Sequence, residues 1–261
     1  MAKQFIPKVK FKISSISDEA KELVYFCYPR DGWDWSNMVY NEHPELKKKL
    51  EGIMDKKKFF RICYAYAKKF KAENVKKLEA ARASFQSEWN MVGNEYLTIL
   101  SKHFEINWRK DKKIVKAYVS IVPINPRDLD EWSFTIRYED DKQEMKMTAA
   151  HEIIHFLYFE KWKEVFPDAE KKTFDTPHLA WKLSEILDPI IMNHNPEIKK
   201  LIGGHAQGYK EFENIKIGNK NLVPYFEDLY KKHLKSGKPF SDFLKMSWNA
   251  IEKHKAIIEK I

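Results

Sequence analysis

The stretch around His151-Glu152-Ile153-Ile154-His155 constrains the fold of this chain more than any other. From Lys142 to Lys163 there is neither Gly nor Pro, and the first breaker beyond is Pro167. Such a run predicts one long helix. Met147, Ala149, Ala150, Ile153, Ile154, Phe156, Leu157, Tyr158 and Phe159 make that helix apolar on nearly all sides around the two histidines. A helix of this kind belongs in the middle of a domain. Two histidines and a glutamate buried there need partners, because burying an unpaired polar or charged group is expensive.

The spacing supplies one kind of partner. Residues four apart on a helix share a face, so His151 and His155 can grip one tetrahedral zinc ion. Glu152 points off that axis, toward a zinc-activated water, and can take its proton as it attacks a carbonyl. This is the chemistry of a metal-dependent amide hydrolase.

A catalytic zinc of this kind takes a third protein ligand and leaves its fourth position to water. The longer motif with a nearby glycine and third histidine is absent, since Tyr158 and Lys161 occupy those places. Thr176-Pro177 reads as an N-cap with proline at the first helical position, opening a helix from His178 to Asp188. On it His178, Trp181, Glu185 and Asp188 share one face. Glu185, set among Leu183, Ile186 and Leu187, is the preferred third ligand, with His178 and His205 as alternatives. Asp188 reads either as a carboxylate holding a ligand histidine by its other ring nitrogen or as a residue that helps end the helix before Pro189.

On His151, Glu152, His155 and Glu185 the chain resembles the gluzincins, zinc metallopeptidases in which His-Glu-x-x-His on one helix is completed by a glutamate on a following helix. The resemblance covers roughly residues 114–190 and is strongest to small prokaryotic members. It implies a zincin-like fold, zinc held by His151, His155 and Glu185, Glu152 as general base and then acid, and a peptide or protein substrate. Two departures stand out. Asp188 follows Glu185 by three residues where the thermolysin-like branch places a carboxylate after four, and the Gly-x-Met-Glu-Asn signature of the aminopeptidase branch is missing. The glycine-dense stretch Ile202–Tyr209 offers His205 and Tyr209, and the second helix offers His178, as candidate donors to an oxyanion. The other function class compatible with the same residues is a catalytically inactive zinc-containing module that binds a partner protein or nucleic acid; Glu152 argues against it, since a structural zinc needs no base.

Upstream, Val115, Ala117, Val119 and Ile121 alternate with Lys116, Tyr118, Ser120 and Val122, and Phe134, Ile136 and Tyr138 alternate with Ser133, Thr135 and Arg137. Both have the period of half-buried strands. The intervening 123–132 carries turn chemistry. In zincins an edge strand before the metal helix pairs with an extended substrate; a plain hairpin covering the core is the equal alternative. Elsewhere helical spacing dominates: about 17–28, 55–70, 72–103, 222–234 and 240–258. The expected class is α+β, predominantly α-helical, with a small antiparallel or mixed sheet preceding the metal-binding helix. The 261 residues suffice for one compact unit, in which residues 1–105 are mainly helical and residues 106–261 hold the strands, the zinc-binding helices and the closing helices.

Cys27 and Cys63, each among apolar or aromatic residues, read as buried thiols. A net charge of +9 is compatible with acidic partners. The lysines of 47–49, 56–58 and 231–232, however, are scattered among acidic neighbours as on a solvated surface, so nucleic acid is not the expected partner. No apolar run spans a bilayer and Met1–Lys8 lacks a secretory core, from which a cytoplasmic protein is expected. The sequence leaves the oligomeric state open.

Overall fold

The computed structural model describes residues 4–29 and 34–260; Met1–Lys3 of the N-terminal stretch lie outside the described residues. In chain order the elements are β1 (Lys8–Ile13), α1 (Ile16–Cys27), α2 (Ser36–Glu42), α3 (Pro44–Leu50), α4 (Lys56–Phe104), β2 (Ile114–Ser120), β3 (Arg127–Asp128), β4 (Ser133–Arg137) and α5 (Lys142–Val165). After a 3₁₀ turn at Lys171–Phe174 follow α6 (Leu179–His194), α7 (Pro196–Ile202) and α8 (Lys210–Glu213). The two-residue strands β5 (Lys216–Ile217) and β6 (Lys220–Asn221) lead into α9 (Leu222–Ser236), α10 (Phe240–Lys253) and α11 (Lys255–Ile258). The chain is thus mostly helical with a small mixed sheet.

Contacts among the described residues group into two compact units, neither of them a continuous stretch. One comprises 4–7, 92–113 and 150–260, the other 8–91 and 114–149. The chain passes from one unit to the other before β1, within α4, before β2 and within α5.

The second unit is built on the sheet, whose strand order is β1-β2-β4-β3. β1, β2 and β4 run parallel, in the register Phe11↔Ala117↔Phe134, and β3 pairs antiparallel with β4 at Arg127↔Phe134. The alternation in β2 is real, with Val115, Ala117 and Val119 fully buried. The hairpin alternative is overturned, however, because β2 and β4 are parallel and the stretch 121–132 must carry the chain back to start β4 on the same side. Nor is either strand an edge: β2 lies between β1 and β4, and β4 between β2 and β3. Interior parallel strands are covered on both faces, which explains why Ser133 and Thr135, read as the outward set, are buried beside Phe134 and Ile136.

α1 starts slightly before the expected Ser17: Ser15 is its N-cap and accepts from the Asp18 amide at 3.1 Å. The two helices expected over 55–70 and 72–103 are one continuous element, α4, interrupted only by non-helical angles at Asn74 (φ −115°, ψ 15°). There the Asn74 side-chain amide donates to the Phe70 carbonyl at 2.9 Å. Asp55 caps the start, accepting from Lys58 N. Phe59, Cys63 and Ala67 are buried as the stripe predicts, whereas Tyr64 faces solvent. Cys27 and Cys63 are free and buried, and burial pushes both thiols up to about 12.

In the first unit α5 and α6 form the centre. Every residue from Glu152 to Phe159 is buried, as is all of α6 from Leu179 to Asn193. The all-round apolar character of α5 follows directly: a helix surrounded by protein has no solvent face to make polar. Around them, the Tyr96 hydroxyl donates to the Ala150 carbonyl at 2.6 Å and Trp108 Nε1 to the Leu97 carbonyl at 2.9 Å. The expected start and end of α6 are both corrected. His178 has extended angles (φ −67°, ψ 151°) and is the N-cap, so it does not share the helical face of Trp181, Glu185 and Asp188; the Thr176–Pro177 peptide is cis. Pro189 does not end the helix, which runs on to His194. Because Pro189 has no amide proton, the helix gives up only the bond to the Glu185 carbonyl, and its buried surroundings hold it helical past that point. Among the described residues no helix is long and apolar enough to cross a membrane.

Candidate metal centre

Two adjacent helices of the first unit bring together the three residues singled out as ligands. His151 and His155 project from one face of α5, one turn apart, with ring planes at 84° and centroids 4.8 Å apart. Glu185 reaches them from the second turn of α6. His151 Nε2 lies 3.2 Å from His155 Nε2 and 3.3 Å from Glu185 Oε2, and His155 Nε2 lies 3.4 Å from Glu185 Oε1. Ligand atoms of all three are within 4.8 Å of one another.

These distances suit a weak hydrogen-bonded cluster and a metal centre alike. A charge-assisted hydrogen bond from imidazole to carboxylate is about 2.7–2.9 Å long. Donors bound to one tetrahedral zinc at about 2.0–2.1 Å sit about 3.3–3.4 Å apart, by the geometry of the tetrahedron. The two histidine nitrogens are 3.2 Å apart, and each lies 3.3–3.4 Å from a different oxygen of Glu185; these separations are at the long end for hydrogen bonds and match neighbouring donors around one ion that takes one or both carboxylate oxygens. Two imidazoles and one carboxylate are moreover a donor set that zinc and related transition metals favour. The residues present fit a metal ion.

His155 is held at its other nitrogen. Its Nδ1 lies 3.0 Å from Asp188 Oδ2, and both side chains are fully buried. The Asp188 carboxylate beside Nδ1 favours a proton on that nitrogen and leaves the Nε2 lone pair toward the other donors, as carboxylates do when they orient metal-binding histidines. The three-residue step from Glu185 to Asp188 suits the task, because it places both carboxylates on one side of α6. On the opposite flank Phe159 stacks on the His155 ring, with centroids 6.0 Å apart and planes at 14°. The sequence reading missed that stacking residue; its signal was the i, i+4 spacing from His155, which makes helical neighbours touch.

The electrostatics favour added positive charge. Glu152, Glu185 and Asp188 are buried, at 5 %, 2 % and 0 % exposure. Burial alone pulls the His151 imidazolium down, but the Glu185 hydrogen bond and charge, followed by Glu152 and Asp188, outweigh it and push His151 up to about 9. Three buried carboxylates thus stabilise a cation at His151, and a divalent ion in the triangle answers the same demand. Glu152 is adjacent to His151 and belongs to the buried run of α5, with no share in the donor triangle.

The other candidates lie elsewhere. His178 caps α6 and lines a cavity with Trp162, Phe166 and Trp248. His205 is exposed in the loop after α7. Tyr209 caps α8 and packs its ring on Trp181 at 5.9 Å and Phe212 at 5.8 Å. Neither His178 nor His205 joins the cluster of ligand atoms among the described residues.

No family model, curated protein sequence or solved structure matches the chain.

Proposed function

We propose that the first unit carries a zinc site that hydrolyses peptide bonds, in the manner of the gluzincins, with His151, His155 and Glu185 as ligands and Glu152 as general base. The observation that carries this reading is the cluster in which the two histidine nitrogens lie 3.2 Å apart and each 3.3–3.4 Å from a Glu185 oxygen, with Asp188 beside His155 and the buried Glu152 outside the ligand set. A structural site has no use for that glutamate, which favours a hydrolase over an inactive zinc-containing module.

Zinc held by these donors supplies a Lewis acid that polarises the scissile carbonyl and draws the pKa of water toward neutrality. Glu152 takes the proton from the attacking water and returns it to the leaving nitrogen. Asp188 keeps the His155 tautomer and ring orientation fixed throughout. Phe159 excludes water from the far side of that ring, so that the charges of the site act in a low dielectric.

Metal analysis of the purified protein beside its Glu185→Ala and His155→Ala variants tests the ligand set. One zinc per wild-type chain, lost in both variants, is expected; zinc retained in Glu185→Ala moves the third ligand elsewhere. Cleavage of a quenched-fluorescent peptide library by wild type, with Glu152→Gln still loaded with zinc but slowed by about 10²-fold or more, is the expected kinetic result. Undiminished turnover in that variant removes Glu152 from the reaction.

A further inference from the structure

The glycine-dense segment after α7 lies along the helix that carries Glu185. Gly203 and Gly204, at φ 71° and 72°, turn the chain out of α7. Asn193 then holds Ala206 by both main-chain groups: its side-chain Nδ2 donates to the Ala206 carbonyl and its Oδ1 accepts from the Ala206 amide, each at 2.8 Å. Gly208 rests on the next turns of α6, where a methyl group added to it would stand 3.6 Å from Pro189 Cγ and 3.9 Å from the Glu185 carbonyl oxygen. Tyr209 has extended angles (φ −67°, ψ 128°) and sets its ring 5.9 Å from that of Trp181. Asn193, Pro189, Glu185 and Trp181 follow one another at intervals of four and so form one stripe on the helix. The stripe covers about 18 Å of helix. The three steps from Ala206 to Tyr209 supply about 10 Å when fully drawn out, so only an extended segment, with the Tyr209 and Trp181 side chains added, spans it. Residues 206–209 therefore run antiparallel to α6 along the stripe that holds the third ligand.

The main-chain groups of this segment are unequally used. In an extended chain, successive residues present their N–H and C=O groups to opposite sides. Those of Ala206 face α6 and are taken by Asn193. Those of Gln207 face the other way, and among the described residues neither its N–H nor its C=O has a hydrogen-bond partner. Gln207 is exposed. An anchored, extended stretch with a free donor and acceptor on one residue is an edge on which a second chain can pair. β2 and β4, the strands nearest α5 in sequence with more than two residues, have both sides taken within the sheet and offer no such edge. The direction of the segment also matters. His155 meets Glu185 and Asp188, and His151 meets Glu185. Going back from His155 to His151 along α5 thus leads away from the Asp188 end of α6 and toward Trp181. His151, the donor with surface in water, therefore lies toward the turn on which Tyr209 packs.

We propose that residues 206–209 are the peptide-docking edge of the metal centre. An extended peptide bonds one of its residues to the Gln207 N–H and C=O, packs an apolar side chain on the half-buried Tyr209 ring, and is led past His151 to the donors. This rests on the peptidase reading above and names the part of the first unit that holds the substrate. Pairing through the main chain accepts many sequences, with selectivity left to the side chain beside Tyr209.

Anisotropy titration of the full chain carrying Glu152→Gln, in zinc-containing buffer, with the fluorescein-labelled amide of Ala-Ala-Phe-Leu-Ala-Ala tests the assignment. Saturable binding is expected. Gln207→Pro, which removes the N–H, should weaken it about tenfold, whereas Gln207→Ala, which keeps the main chain, should lose less than about threefold. On the unaltered loop, N-methylation of the probe should cost about tenfold at one residue and much less at its two neighbours, because only one residue of the peptide turns its N–H to the edge. Zinc content should be equal in all variants. The proposal is overturned if the probe does not bind, if Gln207→Pro binds like Gln207→Ala, or if N-methylation acts equally at every residue. Cleavage of the probe by wild type without these position effects would leave the peptidase reading standing and remove the docking edge; position-dependent binding without cleavage would keep the edge and remove the peptidase.

Discussion

At the scale of single residues, the four positions around the donor triangle are unequal in what they touch, and their substitutions should separate accordingly. Asp188→Asn keeps the shape of the side chain but removes the charge that holds the His155 Nδ1 proton. Metal affinity is expected to fall by about 10–100-fold with the protein still folded, measured by competition with a chromophoric chelator; an unchanged affinity would reduce Asp188 to a packing role. That His151 and His155 lie side by side was legible from spacing alone, because i, i+4 geometry on a helix leaves little freedom. Glu185 and its relation to Asp188 were legible as a shared face. The position of His178 was not: Thr-Pro followed by an amphipathic run reads as an N-terminus at the proline, and nothing local tells that the helical angles begin only at Leu179. Tyr209 was singled out by its place in a glycine-dense segment, but a loop sequence does not say against what its aromatic residue packs, which here is Trp181.

At the scale of elements, α5 combines two duties, carrying the donors and forming the core. Phe159 serves both, stacking on His155 and packing on Phe174 with centroids 4.6 Å apart. Phe159→Ala is expected to destabilise the protein by about 3–5 kcal/mol and to loosen the metal site with it. Urea denaturation of wild type and variant, each with and without metal, measures both effects, and a loss confined to metal affinity would show that the ring does not belong to the core. The sheet teaches a different lesson about legibility. Alternation in 115–122 and 133–138 located both strands, yet strand period carries no information on direction. Only the partner strands decide it, and β1, far upstream in the chain, was invisible to a pattern search that looked at neighbouring segments. Once β2 and β4 run parallel, burial of both faces of β4 follows, and its apparent outward set becomes core.

At the scale of the whole molecule, two treatments should act on different units. Metal removal withdraws binding free energy from the folded state alone. With free zinc at about a thousandfold excess over Kd this is worth about 4 kcal/mol. Calorimetric scans with zinc and with chelator should therefore differ by several degrees in the transition of the first unit, and superimposable scans would mean that the triangle binds no metal. The second unit responds to pH. Glu19 of α1 is fully buried, accepting from the Ser120 hydroxyl at 2.8 Å and from the Ile121 amide at 3.3 Å. Burial, only partly offset by these bonds and by Lys71, pushes its carboxyl up from 4.5 to about 7. The folded state therefore holds a proton that the unfolded chain releases near pH 4.5. This contribution to stability is complete below that value and declines as pH rises toward about 7, by roughly 3 kcal/mol in all. Glu22, one turn on and pushed up to about 8 by burial and by Glu19, adds in the same direction. Denaturation midpoints should fall between about pH 5 and pH 8, Glu19→Gln should reduce that slope, and a variant with the same slope would assign it to Glu22 or another group.

The donor triangle is symmetric in chemistry but not in access. His155 is sealed, with Asp188 at its back nitrogen, Phe159 on its face and no exposed surface, whereas the His151 side chain keeps 23 % of its surface in water. The centre therefore has a front. On the proposed zinc reading, His151 is therefore the donor that an arriving ion is expected to meet first and a departing one to leave first. A bulky substitution beside His151 should slow loading and unloading alike while leaving the equilibrium between them untouched, a gatekeeping effect that the corresponding change beside His155 could not produce.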